Sequence, residues 1–373
     1  MSANKHTYGE RLWVEIAADR VATLSERIAR RLGLTLPSDE WSSPVPDPYL
    51  LVGGVVLFDI FVLHTVQQLT VGRNTVLDNP SWLALPATVL LAVVTNRYAR
   101  DRYGSVLEEI RIETRTATGS TAFRRLVPVR FKRAFFLIAV GGYYSYLVLS
   151  GRILPILEYE GVAGLFGWVV IIPFVYAPIL VETAAIYLSL HVSLPRRFDR
   201  EDVKIYYFDP HNLGGLRPVG TVLKQSYYLF TLSVVLITVL LYAPFLFPEM
   251  LYTPYQPPEQ LVSVIVGGLW AVGVLSIAFS LGSLHRYMRK RRREELKMLE
   301  SRFYDLISEP YDVRQTLKDS EELRQWEREK HRIEQVRDTR EFPATIRMWS
   351  QILFSVVLPL GIQWAIQWFI GLV

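Results

Sequence analysis

The apolar run LLVGGVVLFDIFVLHTV is interrupted by two ionisable residues five positions apart, Asp59 and His64. A third, Glu182, stands in a later apolar stretch. Carboxyl and imidazole groups can pass protons or hold cations. Leaving them in lipid is costly, so each is a candidate for function by its position alone. On an α-helix five residues turn the chain so that Asp59 and His64 are expected on faces about 140° apart, each meeting a different neighbour. The plainer reading is interhelical hydrogen bonding or, near segment ends, snorkelling. Intramembrane enzymes need paired acids, metal ligands or a nucleophile beside a base. No HExxH, GxGD or GxSx pattern stands in an apolar stretch, and the chain has no cysteine. Thiolate catalysis, disulfides and Cys-ligated metals are therefore excluded, and no catalytic residue, metal or cofactor is expected.

The terminal stretch QILFSVVLPLGIQWAIQWFIGLV, Gln351 to Val373, places Gln351, Ser355, Pro359, Gln363, Gln367 and Gly371 at steps of four. Each step drifts by about 40°, so the row spirals, but Gln363 and Gln367 share a face. As polar glue between helices such amides contribute about 0.6–2 kcal/mol each. Alternatively, several copies of the segment surround an aqueous path, with Ser355, Gln363 and Gln367 facing water and Ile366 and Ile370 narrowing it. A third group is aromatic: Tyr143, Tyr144 and Tyr146 follow Gly141-Gly142, with Trp168 and Trp270 at comparable depth in other segments. These form either an interfacial belt or a small-molecule pocket between helices.

All of these residues sit in segments that must cross a membrane. Of the 373 residues 50% are hydrophobic, and they fall in blocks instead of alternating with polar ones. Windows of about 20 residues place spans near 49–69, 77–95, 134–155, 162–190, 226–247, 261–284 and 349–371. The second is the weakest. The fourth is overlong, and Pro173 and Pro178 predict a kink there. No apolar signal peptide precedes residue 47. Leu12, Ile16, Val21, Leu24, Ile28 and Leu32 instead predict an amphipathic helix in a cytosolic segment 1–47.

Charge orients the spans. Ten Lys and Arg lie between Arg97 and Arg133, six between Arg196 and Lys224, and six in the eight residues RYMRKRRR after the sixth span. The intervening loops hold only Arg73 and Arg152. Positive loops stay cytoplasmic, which puts the N-terminus inside and the C-terminus outside a multi-pass protein of the cell membrane. This topology, with attraction to anionic lipids, accounts for the net charge of +5, so no nucleic-acid partner is expected.

The expected fold is all-α: a six-helix membrane unit over 48–284 with cytosolic loops 97–133 and 193–224, a cytosolic hairpin over 285–348, and a final helix over 349–373. In the hairpin, Leu296, Leu299, Phe303 and Leu306 recur at helical spacing, then Leu323, Trp326, Ile333 and Val336 after a break at Pro310. The stripe needs a partner, within the chain or in another subunit. The loop KIYYFDPHNLGGLRPVG carries Asp209, His211 and Asn212 among turn formers, matches no metal signature, and reads as an ordered turn or a regulatory ligand site.

In LGIQWAIQW, Leu360 to Trp368, the pair Gln367-Trp368 is similar to the Gln-Phe that closes the final-helix signature of the insect odorant and gustatory receptors. Leu360-Gly361 stand where that signature has Thr-Tyr, and Gln363 interrupts its apolar run. The layout as a whole resembles that superfamily of seven-span ligand-gated cation channels. The resemblance implies a homotetramer anchored by its cytosolic helices, with the last span lining a central pore for cations. It also implies a small-molecule pocket in the outer halves of other spans. The rival expectations are a proton- or ion-coupled transporter using Asp59, His64 and Glu182, and a non-conducting membrane receptor or scaffold.

Overall fold

In the computed structural model the described residues are 47–116, 120–123, 126–127, 129–246, 260–306 and 320–341. The expected N-terminal helix lies outside them. So does the terminal segment with Ser355, Gln363, Ile366, Gln367 and Ile370.

Every described element is a helix. Helix α1 runs through Asp47–Leu57, a π-helical stretch Phe58–Leu63 and His64–Val71. α2 is Ala84–Glu109 and α3 is Val129–Leu149. α4 strings together Ile153–Phe166, π-helical Gly167–Tyr176, Ala177–Leu188, π-helical Ser189–Ser193 and Leu194–Arg200. α5 is Arg217–Leu246, α6 is Gln260–Asp305 and α7 is Ser320–Asp338. Five stretches are long and apolar enough to cross a membrane: Leu51–Val71, Pro80–Glu109, Ile153–Arg200, Arg217–Ala243 and Val264–Asp305. A shorter apolar helix, Arg133–Leu149, lies between the second and third of these. The chain is a multi-pass helical membrane protein.

α2, weakest by hydropathy, packs against α1, α4 and α5. Half of its apolar window is buried inside the protein, against 17% for Leu51–Val71, so it meets neighbouring helices more than lipid. That is why it tolerates the buried Thr88, Thr95 and Asn96, while Ala92, Ala99 and Gly104 allow close approach. The turn Ser150–Arg152, with Gly151 at φ 63°, ends α3 earlier than hydropathy suggests. α4 begins at Ile153, nine residues before the expected span. Its helical run breaks at Gly161 (φ 69°, ψ −169°), close to the expected start, and a Cβ there would approach a Val71 methyl of α1 to 2.6 Å. Only glycine satisfies both demands.

α6 has 46 residues, about 70 Å of helix against an apolar layer of about 30 Å, so much of it projects beyond the membrane. α7 folds back along it. Ile333 and Val336 of α7 bury against Leu296, Leu299 and Phe303 of α6 and Tyr207, and Trp326 sits 5.7 Å from the Phe303 ring. The apolar stripe thus finds a partner within the chain. The largest core also lies at this basic end, around Tyr103, Leu107, Phe123, Phe198, Leu216 and Tyr287.

The connection from α4 to α5 is fixed by Asp209. Its carboxylate accepts hydrogen bonds from the backbone N–H groups of His211 (3.1 Å), Leu213 (3.0 Å) and Gly215 (2.8 Å). Asn212, Gly214 and Gly215 adopt positive φ, which lets these amides converge. Burial alone would raise the Asp209 pKa. The three amides and His211 together outweigh it and hold the carboxyl below its ordinary range. Its stabilising effect is therefore complete above the unfolded pKa of about 3.9 and disappears as pH falls through the lower folded value. Asp209→Ala is expected to lower stability by about 1–3 kcal/mol at pH 7, read by thermal unfolding in detergent. The difference from the parent should shrink below about pH 4.

Candidate functional site

Asp59 lies in the π-helical stretch of α1, where the backbone N–H of His64 bonds to the Asp59 carbonyl. Hydrogen bonding from residue i+5 to residue i brings the two nearly into line, so the 140° separation expected of an α-helix does not hold. The His64 ring follows its backbone: Nδ1 is 2.7 Å from the same carbonyl oxygen. Both residues face one cavity of about 50 Å³ between α1 and α4, room for a few water molecules at about 10–15 Å³ each. Gln67, Trp82, Glu160, Trp168 and Tyr176 complete much of its lining.

The cavity's polar groups are largely engaged. The buried Tyr176 hydroxyl donates to Asp59 Oδ2 at 2.6 Å. Trp168 Nε1 donates to Glu160 Oε2 at 3.0 Å, and the Trp82 ring meets Trp168 edge-on at 5.3 Å. Gln67 exchanges bonds with the Thr75 hydroxyl at 2.7 and 3.0 Å, and Asn74 Nδ2 donates to the His64 carbonyl at 3.3 Å. Among the described residues no three metal-ligating side chains come close enough to hold a metal ion. The arrangement suits protons and water: two carboxyl groups and an imidazole around a small polar space inside an apolar layer.

Glu160 was not among the residues singled out from sequence, because hydropathy begins the fourth span at residue 162. The available signal was its place one residue before Gly161, in the only acidic stretch of that loop, LEYEG. Glu182, expected to join Asp59 and His64, does not line this cavity. It pairs with Arg100 across the α2–α4 contact, its side chain 10% exposed. Asp59 and His64 thus share a cavity that Glu182 does not line.

Nor do the five aromatic residues share one pocket. Of them, Trp168 alone lines this cavity. Tyr146 lies 5.6 Å from the Arg152 guanidinium, and Trp270 packs in a separate core with Tyr187, Phe230 and Tyr242. Tyr143 and Tyr144 have a backbone role. Pro173 has no N–H and so removes one hydrogen bond, the one to the Trp168 carbonyl five residues back in the π geometry of this stretch. The Tyr143 hydroxyl donates to that carbonyl at 2.9 Å, and the Tyr144 hydroxyl donates to the adjacent Val169 carbonyl at 2.6 Å. Tyr143 of α3 thus supplies the donor that a proline of α4 lacks.

No protein-family model, curated protein or solved structure matches this chain.

Tyr143→Phe is expected to cost about 1–3 kcal/mol by leaving the Trp168 carbonyl unsatisfied in an apolar setting, measured by thermal unfolding in detergent. Arg100→Ala, which takes away the guanidinium beside Glu182, should cost about 3–5 kcal/mol. The double change Arg100→Met/Glu182→Leu should recover most of that loss, as expected of a structural pair.

Proposed function

We propose that the protein is a homo-oligomeric cation channel of the cell membrane, a tetramer, with its terminal apolar segment lining the conducting path. One observation supports this reading: Glu341, eight residues ahead of that segment in the sequence, is held where the apolar part of α6 gives way to its charged part. Glu341 sits against the start of the projecting part of α6. Its carbonyl is 3.1 Å from His285 Nδ1, and its carboxylate is 3.2 Å from Arg292 and 3.9 Å from Arg289. His285 directly follows the sixth apolar stretch, which ends at Leu284. Next door, the Arg340 N–H donates to the Asn212 carbonyl at 2.7 Å. In the sequence an apolar stretch as long as a span, carrying Gln363 and Gln367, begins eight residues after Glu341. In this reading the amides of several copies face water, with Ile366 and Ile370 as constrictions.

The cavity between α1 and α4 is the internal site that would bias opening. Its size admits water and protons and argues against a bulky ligand. The same cavity favours a second reading, proton-coupled transport by a single subunit through Asp59, His64 and Glu160. Glu182 drops out of that relay because of Arg100.

The two readings separate in proteoliposomes. The channel reading expects a multimeric detergent particle and discrete unitary currents, with Gln367→Leu lowering conductance several-fold while the particle mass stays unchanged. A single-subunit particle without unitary currents, whose pH-dependent uptake is lost in Asp59→Asn, would establish the second reading and sink the first.

A further inference from the structure

At the basic end of the molecule an open cavity of about 830 Å³ lies between two regions distant in sequence, each contributing two segments. They are the end of α2, the turn Arg111–Arg115, residues 204–215 and the first turn of α5. Five cationic side chains line it, Arg102, Arg111, Arg115, Lys204 and Arg217, against two carboxylates, Glu109 and Asp209. With both carboxylates counted, the lining still keeps a surplus of positive charge. Asp209 is committed to its three backbone amides, and Glu109 lies 3.8 Å from Arg102. No carboxylate is paired with Arg111 or Lys204 among the described residues.

The cations are positioned, not loosely scattered. Arg115 Nη1 donates to the Gly214 carbonyl at 3.3 Å, and its guanidinium lies so close to Gly215 that a Cβ there would meet Nη2 at 2.4 Å. Glycine at 215 therefore makes room for the arginine. Arg217 Nη1 donates to His211 Nε2 at 2.7 Å, which fixes the imidazole proton on Nδ1. Arg217 also opens a 30-residue helix whose first turn holds no acidic residue, so a cation sits at the positive end of the helix dipole. Burial and the neighbouring Arg111 both push the Arg115 pKa down, against the pull of Asp209, Tyr287 and Tyr206. Every one of these conflicts is relieved by an anion in the cavity. The exposed Tyr206 ring, 5.8 Å from the Arg115 guanidinium, adds an aromatic surface beside the charges.

We propose that this cavity binds a soluble small molecule carrying two or more linked phosphate groups. One inorganic phosphate would leave most of the volume empty, whereas pockets of about 300–1,000 Å³ suit ligands of nucleotide size. Depth argues for a soluble source over a lipid headgroup. Arg217 is the first residue of the stretch Arg217–Ala243, but the window that hydropathy places in lipid begins nine positions later at Ser226, about 14 Å along the helix, which sets the cations apart from the apolar layer. The site is independent of the channel reading, since binding is measured without any flux.

The test uses the purified full-length protein with tripolyphosphate, ATP and nanodiscs containing phosphatidylinositol bisphosphate as probes. The expected result is saturable binding of tripolyphosphate and ATP, weakened about tenfold or more in Arg111→Gln/Lys204→Gln. These two residues lack carboxylate partners, so thermal unfolding without ligand should be unchanged. The charge-matched variant Lys297→Gln/Arg337→Gln, with both changes remote from the cavity, should bind like the parent. Failure to bind either soluble probe, or equal weakening in the remote variant, would overturn the proposal. Binding confined to the phosphoinositide nanodiscs would overturn it too.

Discussion

A backbone carbonyl in hydrocarbon has no water to turn to, and much of this fold consists of partners supplied for groups that regular helix leaves exposed. Pro173 removes a donor from the middle of α4, and Tyr143 reaches across from α3 to the Trp168 carbonyl that loses it, with Tyr144 on the carbonyl next to it. The π-helical stretch that accompanies the proline holds Tyr176, whose hydroxyl meets Asp59, itself on the π-helical stretch of α1. Two departures from α geometry thus face each other. The small polar cavity lies between them.

The same demand governs the charged groups. Glu182 is tolerated inside the helical bundle because Arg100 stands opposite it, and Asp209 because three amides turn toward it. Away from the apolar layer the requirement relaxes. There α6 continues outward, α7 doubles back on it, and basic segments read from sequence as topological markers assemble into a walled cavity. Positive charge gathered there creates a surplus that an anion would neutralise.

What sequence made legible was what depends on apolar block length: where α1, α2, α5 and α6 lie, the overlong α4, and the α6–α7 hairpin with its stripe of Leu299, Phe303, Ile333 and Val336; the break in α4 falls at Gly161, where Pro173 and Pro178 were the expected sites. What it hid depends on local departures from ideal periodicity and on distant pairings. The rule of 100° per residue separates Asp59 from His64 because it assumes α geometry, and nothing in FDIFVL announces a π-turn. Arg100 and Glu182 are 82 positions apart, so one was read as a topology charge and the other as an intramembrane acid. Tyr143 and Tyr144 were legible as a cluster, but their purpose required knowing that Pro173 lies opposite. Trp270 looked equivalent to Trp168 by depth, although only packing decides which faces a cavity.

The channel reading depends on whether the terminal amides face water inside the membrane. Because the chain contains no cysteine, Gln367→Cys would carry the sole thiol. The decisive measurement is its rate of modification by a charged, membrane-impermeant thiol reagent in reconstituted bilayers, with Val373→Cys as the control for access. A wet lumen predicts modification at position 367 together with a fall in current. A thiol at 367 that stays unreactive while the one at 373 is modified would place that face against lipid or packed protein and contradict the proposed pore.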